Sequence, residues 1–577
     1  MTSRRRFVAS ALAAGAAIPA AALPAPLASH RVRAGTPPEA DHLGARRLDA
    51  LTVEDLAHAE AVQGVPFRSD QRELMLDDVN GRLEQLAALR EAEPPNEVPP
   101  ALVLDLGLSG EPKPAPGAGA TVSRPAASGR PSDADLAFAS VPELGALLRG
   151  RAISCVDLAE FFLGRLERFD PQLLAVVTLT RERALAQAAR LDAELAAGTD
   201  RGPLHGIPYG AKDLLATAGI PTTWGATPYR DQVIEADAEV VQRLDAAGAV
   251  LVAKLTLGAL AWGDVWFGGM TRNPWNVDEG SSGSSAGPGS AVAAGLVPFA
   301  IGSETLGSIV SPSTRNGVTG LRPTFGRVPT DGAMALSWSM DKLGPLARSA
   351  TDCALVLDAL RGPVGAPEAD PAFPYDPTAS VMDLRVGVLQ TAFDEAEGAG
   401  AEADRATLDV IRRLGVETVP VEVPGGIPVG PLRMILEAEA AAAFDGLTRS
   451  GGVDALVRQE RFAWPNVFRH ARHIPAVDYI NANRVRTQLM RAMAELMTQV
   501  DVLVAPSFAP TLLVTNLTGH PAVALPNAFL PVEGYPDRRS PRSITFMGPL
   551  WKDHLPLRLA NAVQAATDHH RQRPPVS

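Results

Sequence analysis

Two serines, Ser284 and Ser308, stand 24 positions apart in glycine- and serine-rich sequence, and a lysine, Lys212, stands upstream. Hydroxyls, tight glycine turns and an amine base are the parts of a serine hydrolase that needs no histidine. Ser308 closes Thr305-Leu306-Gly307-Ser308, after an apolar run and Gly302. A turn there aims several backbone N–H groups at one spot, as a developing oxyanion requires, and one such donor is worth about 2.7–4 kcal/mol of barrier. Alone, the stretch reads equally as a Gly/Ser surface turn. Lys212 lies in Gly206-Ile-Pro-Tyr-Gly-Ala-Lys-Asp213, on a loop or at an element's edge. Desolvation would depress its pKa and let it take a proton from a hydroxyl. On its own, pairing with Asp213 or another acid is the better expectation. Ser284, donor and acceptor at once, suits a proton relay between amine and nucleophile. Residues 280–290 also read as a flexible linker. Against that, the run is short and sits between Asn273-Pro-Trp-Asn276 and an alanine-rich apolar segment.

Five lysines, at 113, 212, 254, 342 and 552, stand among 53 basic residues. Where arginine is so preferred, a lysine can mark a place that needs a group able to lose its proton. For most of the five, drift is explanation enough.

These groups need a scaffold. Leu144–Leu148, Cys155–Phe169 and Glu182–Ala197 read as helices. Ala236–Ala247 is a further helix, ended by Gly248. Ala249–Ala253 is a buried strand, and further strands fall at Leu384–Leu389, Val502–Ala505 and Ala522–Leu525. The alternation implies an α/β body with helices covering a mostly buried sheet. Leu83, Leu86 and Leu89 give Leu51–Glu93 one apolar stripe. Pro94–Asp133, rich in Pro, Gly, Ser and Ala, reads as a loose surface connector.

Apolar residues make up 46% of the 577 and charged residues 20%, an ordinary globular balance. The net charge of −12 and the lack of a dense basic run after the first residues argue against nucleic acid binding. Cys155 and Cys353 look like small core residues with no metal-ligand spacing, and a bond between them stays open. Arg4-Arg5-Arg6 before an alanine-rich stretch ending near Ala28 looks like a twin-arginine export signal. Pro19, Pro24 and Pro26 disfavour a membrane anchor. Three segments follow: a leader at 1–28, a helical extension with its connector at 29–133, and the main domain at 134–577. The expected location is periplasmic or secreted, with no stable membrane anchor after processing.

With its motifs taken together, the chain resembles the amidase signature family. That family reads Gly-Gly-Ser-Ser-Gly-Gly-Ser and then an Asp/Glu-Thr-x-Gly-Ser turn, where this chain has Ser282-Gly-Ser-Ser-Ala-Gly-Pro288 and Glu304-Thr-Leu-Gly-Ser308. Gly206–Asp213, Asn273–Asn276, Gly320–Arg327 and Gly344–Arg348 also match, over roughly Leu136 to Ala566. The resemblance implies a central mixed, mostly buried β-sheet with helices on both faces. It implies Ser308 as nucleophile, Ser284 as bridging serine and Lys212 as base. The backbone N–H groups of Thr305, Leu306, Gly307 and Ser308 would form the oxyanion hole, with Ser285, Asp213 and Glu304 in support. An acyl-enzyme would form on a small-molecule amide, and no cofactor or metal is implied. The oligomeric state, a homodimer included, stays open. Ser282, Ala286, Pro288, Leu306 and Val310 depart from the family pattern and bear on loop shape and pocket.

Other readings compete. Gly283-Ser-Ser-Ala-Gly287 spells a nucleophile elbow, but that needs a buried strand before it, and Trp275–Glu279 is too polar. His520 or His554 would then be guesses for its histidine. Ser339-Met-Asp-Lys342 spells Ser-x-x-Lys without the matching Lys-Thr-Gly. Within the family, the alternatives are a glutaminase-type subunit of a tRNA-dependent amidotransferase and an inactive exported binding protein. Trp262, Trp266, Phe267 and Trp275 line an acyl pocket or pack the core. His569-His570 reads as solvated tail.

Overall fold

The structure, a computed structural model, describes residues 50–92, 119–123, 125, 129–362 and 370–577. The expected leader, and most of the expected connector, lie outside the described residues.

Eleven strands form one sheet. In chain order they are β1 (Val176–Leu179), β2 (Pro208–Lys212), β3 (Val250–Leu255), β4 (Phe299–Glu304), β5 (Thr319–Arg322), β6 (Lys342–Ala347), β7 (Arg385–Leu389), β8 (Glu417–Val421), β9 (Val502–Pro506), β10 (Ala522–Val532) and β11 (Tyr535–Met547). Across the sheet the order is β1-β3-β2-β4-β6-β5-β10-β11-β9-β7-β8. It is mixed: β2 runs parallel to β3 and β4, while β6 is antiparallel to β4 and β5. Every residue of β2, β3 and β6 is buried. Successive side chains point to opposite faces, so both faces of these strands are covered.

The helices begin where short polar side chains cap them. Ser140 and Ser154 form capping boxes with Glu143 and Asp157 at α3 (Val141–Arg149) and α4 (Cys155–Leu173). Helices α5 (Arg181–Ala196) and α6 (Glu239–Ala246) flank β3. Gly248, at φ +83°, reverses the chain into β3. The expected helices and strands are present, with ends displaced by a few residues.

The N-terminal extension is helical as expected, with α1 at Val53–Gln63 and α2 at Ser69–Glu91. Leu86 and Leu89 of α2 enter the main apolar core. From Leu51 to Ser577 the chain forms one unit. At 119–123 the chain is not loose: Ala120 N–H donates to Asp358 at 3.1 Å and Thr121 N–H to the Tyr375 carbonyl at 2.8 Å. No helix among the described residues is long and apolar enough to cross a membrane. Both cysteines are buried and free, so no bond joins them. His569–Arg571 is a helical turn, and both histidines are half-buried, which corrects the reading of a solvated tail.

Candidate active site

Lys212 is the last residue of β2, two strands in from the edge. Its side chain is fully buried. The amine lies 2.8 Å from Ser284 Oγ, 3.1 Å from Ser285 Oγ and 2.8 Å from Ser303 Oγ. Burial holds its pKa well below the ordinary lysine value, opposed by the negative charges of Asp341 and Glu304. The expected pairing with Asp213 does not occur. Asp213 instead forms a buried ion pair with Lys254 at 2.9 Å and accepts from Thr223 N–H and Oγ–H. Of the two neighbouring charges, one is neutralised elsewhere and the other is left among hydroxyls.

Ser284 precedes α7 (Ala286–Ala293), with Ser285 at the cap position. Only glycine fits at 283, where a Cβ would stand 1.9 Å from the Gly263 carbonyl oxygen. Ser285 Oγ also accepts from Ser303 N–H and donates to Ser303 O, both at 3.1 Å. Ser285 N–H reaches the Ser308 carbonyl at 3.2 Å, which ties the two serine-bearing turns together.

Ser308 sits between β4 and α8 (Val310–Asn316), half-buried. Gly307 takes φ +86°, which suits glycine. Glu304, at the end of β4, braces this turn. Its Oε2 accepts from Ile309 and Val310 N–H at 2.8 and 2.9 Å, and its Oε1 from Arg322 and Asn516 at 2.7 and 2.8 Å. Burial would raise its pKa, but Arg322 and these donors win and bring it down to about 2. The Thr305 hydroxyl donates to Asp341 Oδ1 at 2.6 Å, and Asp341 Oδ2 accepts from Leu336 and Ser337 N–H.

A profile of the amidase family matches residues 157–557. The chain belongs to the amidase signature family. A glutamyl-tRNA(Gln) amidotransferase subunit from Roseiflexus sp. strain RS-1 is 34% identical over 480 residues, covering 74% of this chain and 96% of that protein. The native peptide amidase of Stenotrophomonas maltophilia superposes with a TM-score of 0.64 at 29% identity, covering 76% of this chain and 98% of that one. A bacterial aryl acylamidase of the amidase signature family shares the fold at a TM-score of 0.64 and 21% identity, covering 76% and 99%.

In this amidase-family chain the predicted groups Lys212, Ser284 and Ser285 meet directly. Glu304 lies beneath the Ser308 turn, and Asp213 is turned away. Two residues escaped the sequence reading. Ser303 carries no motif, and only its place on β4, beside β2, brings it to Lys212. Asp341 lies inside the Ser-x-x-Lys run, where Ser339 bonds Glu439 and the Lys342 amine meets the Met340 carbonyl. Asn276–Gly280 is a strand, but it belongs to a small hairpin apart from the main sheet and is only partly buried. His520 is buried with Nδ1 on Thr518 Oγ1. Trp266 and Trp275 are buried, with Trp275 against Phe529 and bonded to the Asn316 carbonyl. Arg458 lies over Trp262 and Arg230 over Phe267.

Proposed function

We propose that this amidase-family chain hydrolyses a carboxamide through an acyl-enzyme on Ser308. The single observation that carries the reading is a buried lysine amine, depressed in pKa, 2.8 Å from Ser284 Oγ. In this mechanism Ser308 Oγ attacks the carbonyl carbon and passes its proton through Ser284 to neutral Lys212. The backbone N–H groups of Thr305 to Ser308 receive the oxyanion. Lys212 returns the proton through Ser284 to the departing nitrogen as the C–N bond breaks. Water then attacks the ester by the same relay and releases the acid. Ser308→Ala should abolish turnover in a hydrolysis panel of amides, esters and carbamates, and Ser284→Ala should leave a small residue. A wild-type rate in either would overturn the assignment.

Two finer readings follow. The curated relatives, at 34% identity over 74% of the chain, support an amidotransferase subunit releasing ammonia from glutamine more strongly than a stand-alone exported amidase. The stand-alone reading draws on the peptide amidase likeness and on the pocket beside the site. That pocket is walled by Leu214, Ala261, Met334 and Leu343, and its one charged lining residue, Asp341, already serves Thr305, Leu336 and Ser337. Glutamine brings two charges that need partners. Export rests on Arg4-Arg5-Arg6 and the alanine-rich stretch that follows. Glutaminase activity that appears only with partner subunits decides for the first reading; hydrolysis of apolar amides by the purified chain decides for the second.

A further inference from the structure

Two cavities meet at Trp338. The smaller, of about 200 Å3, has Ser303 and Thr305 in its wall. Ser303 touches the Lys212 amine, so this cavity opens beside the reacting groups. The larger, of about 1260 Å3, runs along α9 (Met434–Ala443) and α11 (Ala476–Leu496) and is faced by Phe325, Met490, Leu550 and Trp551. Trp338 lines both and is 60% exposed. Met490, Leu550 and Trp551 are also exposed. A concentration of uncovered apolar side chains in a concave site marks ligand contact.

Most polar groups of the groove are already engaged, while Arg472 Nε and Gln63 Oε1 in its wall are buried without a partner among the described residues. Glu439 accepts from Ser337 Oγ, from Ser339 N–H and Oγ, and from Tyr479 OH. Arg486 donates to Ser339 Oγ and O and to the Leu517 carbonyl. Arg472 pairs with Asp445. The first two sets grip the residues on either side of Trp338, so its backbone is fixed while its indole stands free at the junction. The larger part of the remaining free surface is apolar.

We propose that the groove binds the long apolar acyl arm of an extended amide, and that Trp338 is the specificity-determining residue over which that arm passes. The proposal rests on Ser308 as the acylated residue. The acyl side is the one retained, because the amine must leave before water attacks, whereas the acyl group stays through both steps. A large, mainly apolar groove suits the partner that stays.

The test uses p-nitroanilides of acetic, hexanoic and decanoic acids. In the wild type, kcat/KM should rise from acetyl to decanoyl by about ten-fold or more, a factor within reach of added methylene burial. Ala442 is exposed in the groove wall on α9, so tryptophan there should fill the groove without disturbing the core. Ala442→Trp should collapse the decanoyl-to-acetyl ratio, and Trp338→Ala should raise KM for decanoyl more than it lowers kcat. A flat length profile, or a ratio untouched by Ala442→Trp, overturns the proposal. Calorimetric titration of decanoic acid into Ser308→Ala protein gives a readout without turnover. There Ala442→Trp should weaken binding by about ten-fold, and equal affinity overturns the groove assignment. If Ser308→Ala still turns over acetyl anilide, the nucleophile assignment fails instead, and the decanoate titration still decides the groove.

Discussion

Burial sets the protonation preference of Lys212. An ammonium in a low-dielectric site needs a nearby anion, and here the adjacent carboxylate, Asp213, is held by Lys254 while hydroxyls surround the amine. The lysine is thereby biased toward its neutral form, the form that accepts a proton. Lys212→Arg keeps a cation and removes the base, so kcat/KM should fall about 10²–10⁴-fold. Wild-type kinetics on the same substrate check it. The pH profile has a defined sign. The proposed mechanism needs the unprotonated amine, so kcat/KM should fall as pH drops through the depressed lysine pKa and level off above it. Activity that rises on acidification would remove Lys212 as base. The residues that identify this chemistry were legible because motif spacing names them. Ser303 and Asp341 were not, because a serine on a strand and an aspartate before one carry no local signal until β4, β2 and β6 lie side by side.

At the scale of elements, the β4–turn–α8 unit is rigid because Glu304 serves two structures at once. It occupies the first amides of α8 and balances Arg322 from β5. Its folded pKa of about 2 lies below the ordinary 4.5. Its contribution to stability is therefore complete above about pH 4.5 and is lost as pH falls toward 2. Glu304→Gln leaves Arg322 buried without its counter-charge and should cost about 3 kcal/mol at neutral pH. Denaturant unfolding measures that, and the acid-dependent loss between about pH 4.5 and 2 should shrink in the variant. A variant as stable as wild type would show that Thr515 and the His520 carbonyl, Arg322's other acceptors, suffice. The helices and strands with clean periodicity or a glycine stop were readable in advance. Of the main sheet only β3, β7, β9 and β10 were, and among the seven others Pro345 in β6 and Pro536, Pro541 and four charged residues in β11 mask the strand pattern. Pairing with neighbours overrides that local preference.

At the scale of the molecule, the extension docks as part of the body. Arg82 of α2 is buried against Glu437 of α9 and His470 of α10 (Trp464–Ala471). Gln63 of α1 donates to the Arg472 carbonyl at 3.3 Å and lines the large groove. Arg82→Ala should destabilise the fold by about 3 kcal/mol, since among the described residues Glu437 would keep only the exposed Arg433 as an ion-pair partner. An unchanged midpoint of unfolding would mean that Leu86 and Leu89 dock the helix alone. The amino-acid sequence by itself determined the family, the candidate reacting groups and the α/β alternation. Those depend on residue type and on spacing along one chain. Only the tertiary structure decided that Asp213 meets Lys254 while Lys212 meets hydroxyls, that Ser303 and Asp341 join the candidate site, and that a mainly apolar groove adjoins it at Trp338. Burial and counter-charge are set by segments hundreds of residues apart, and no local pattern encodes which of them will touch.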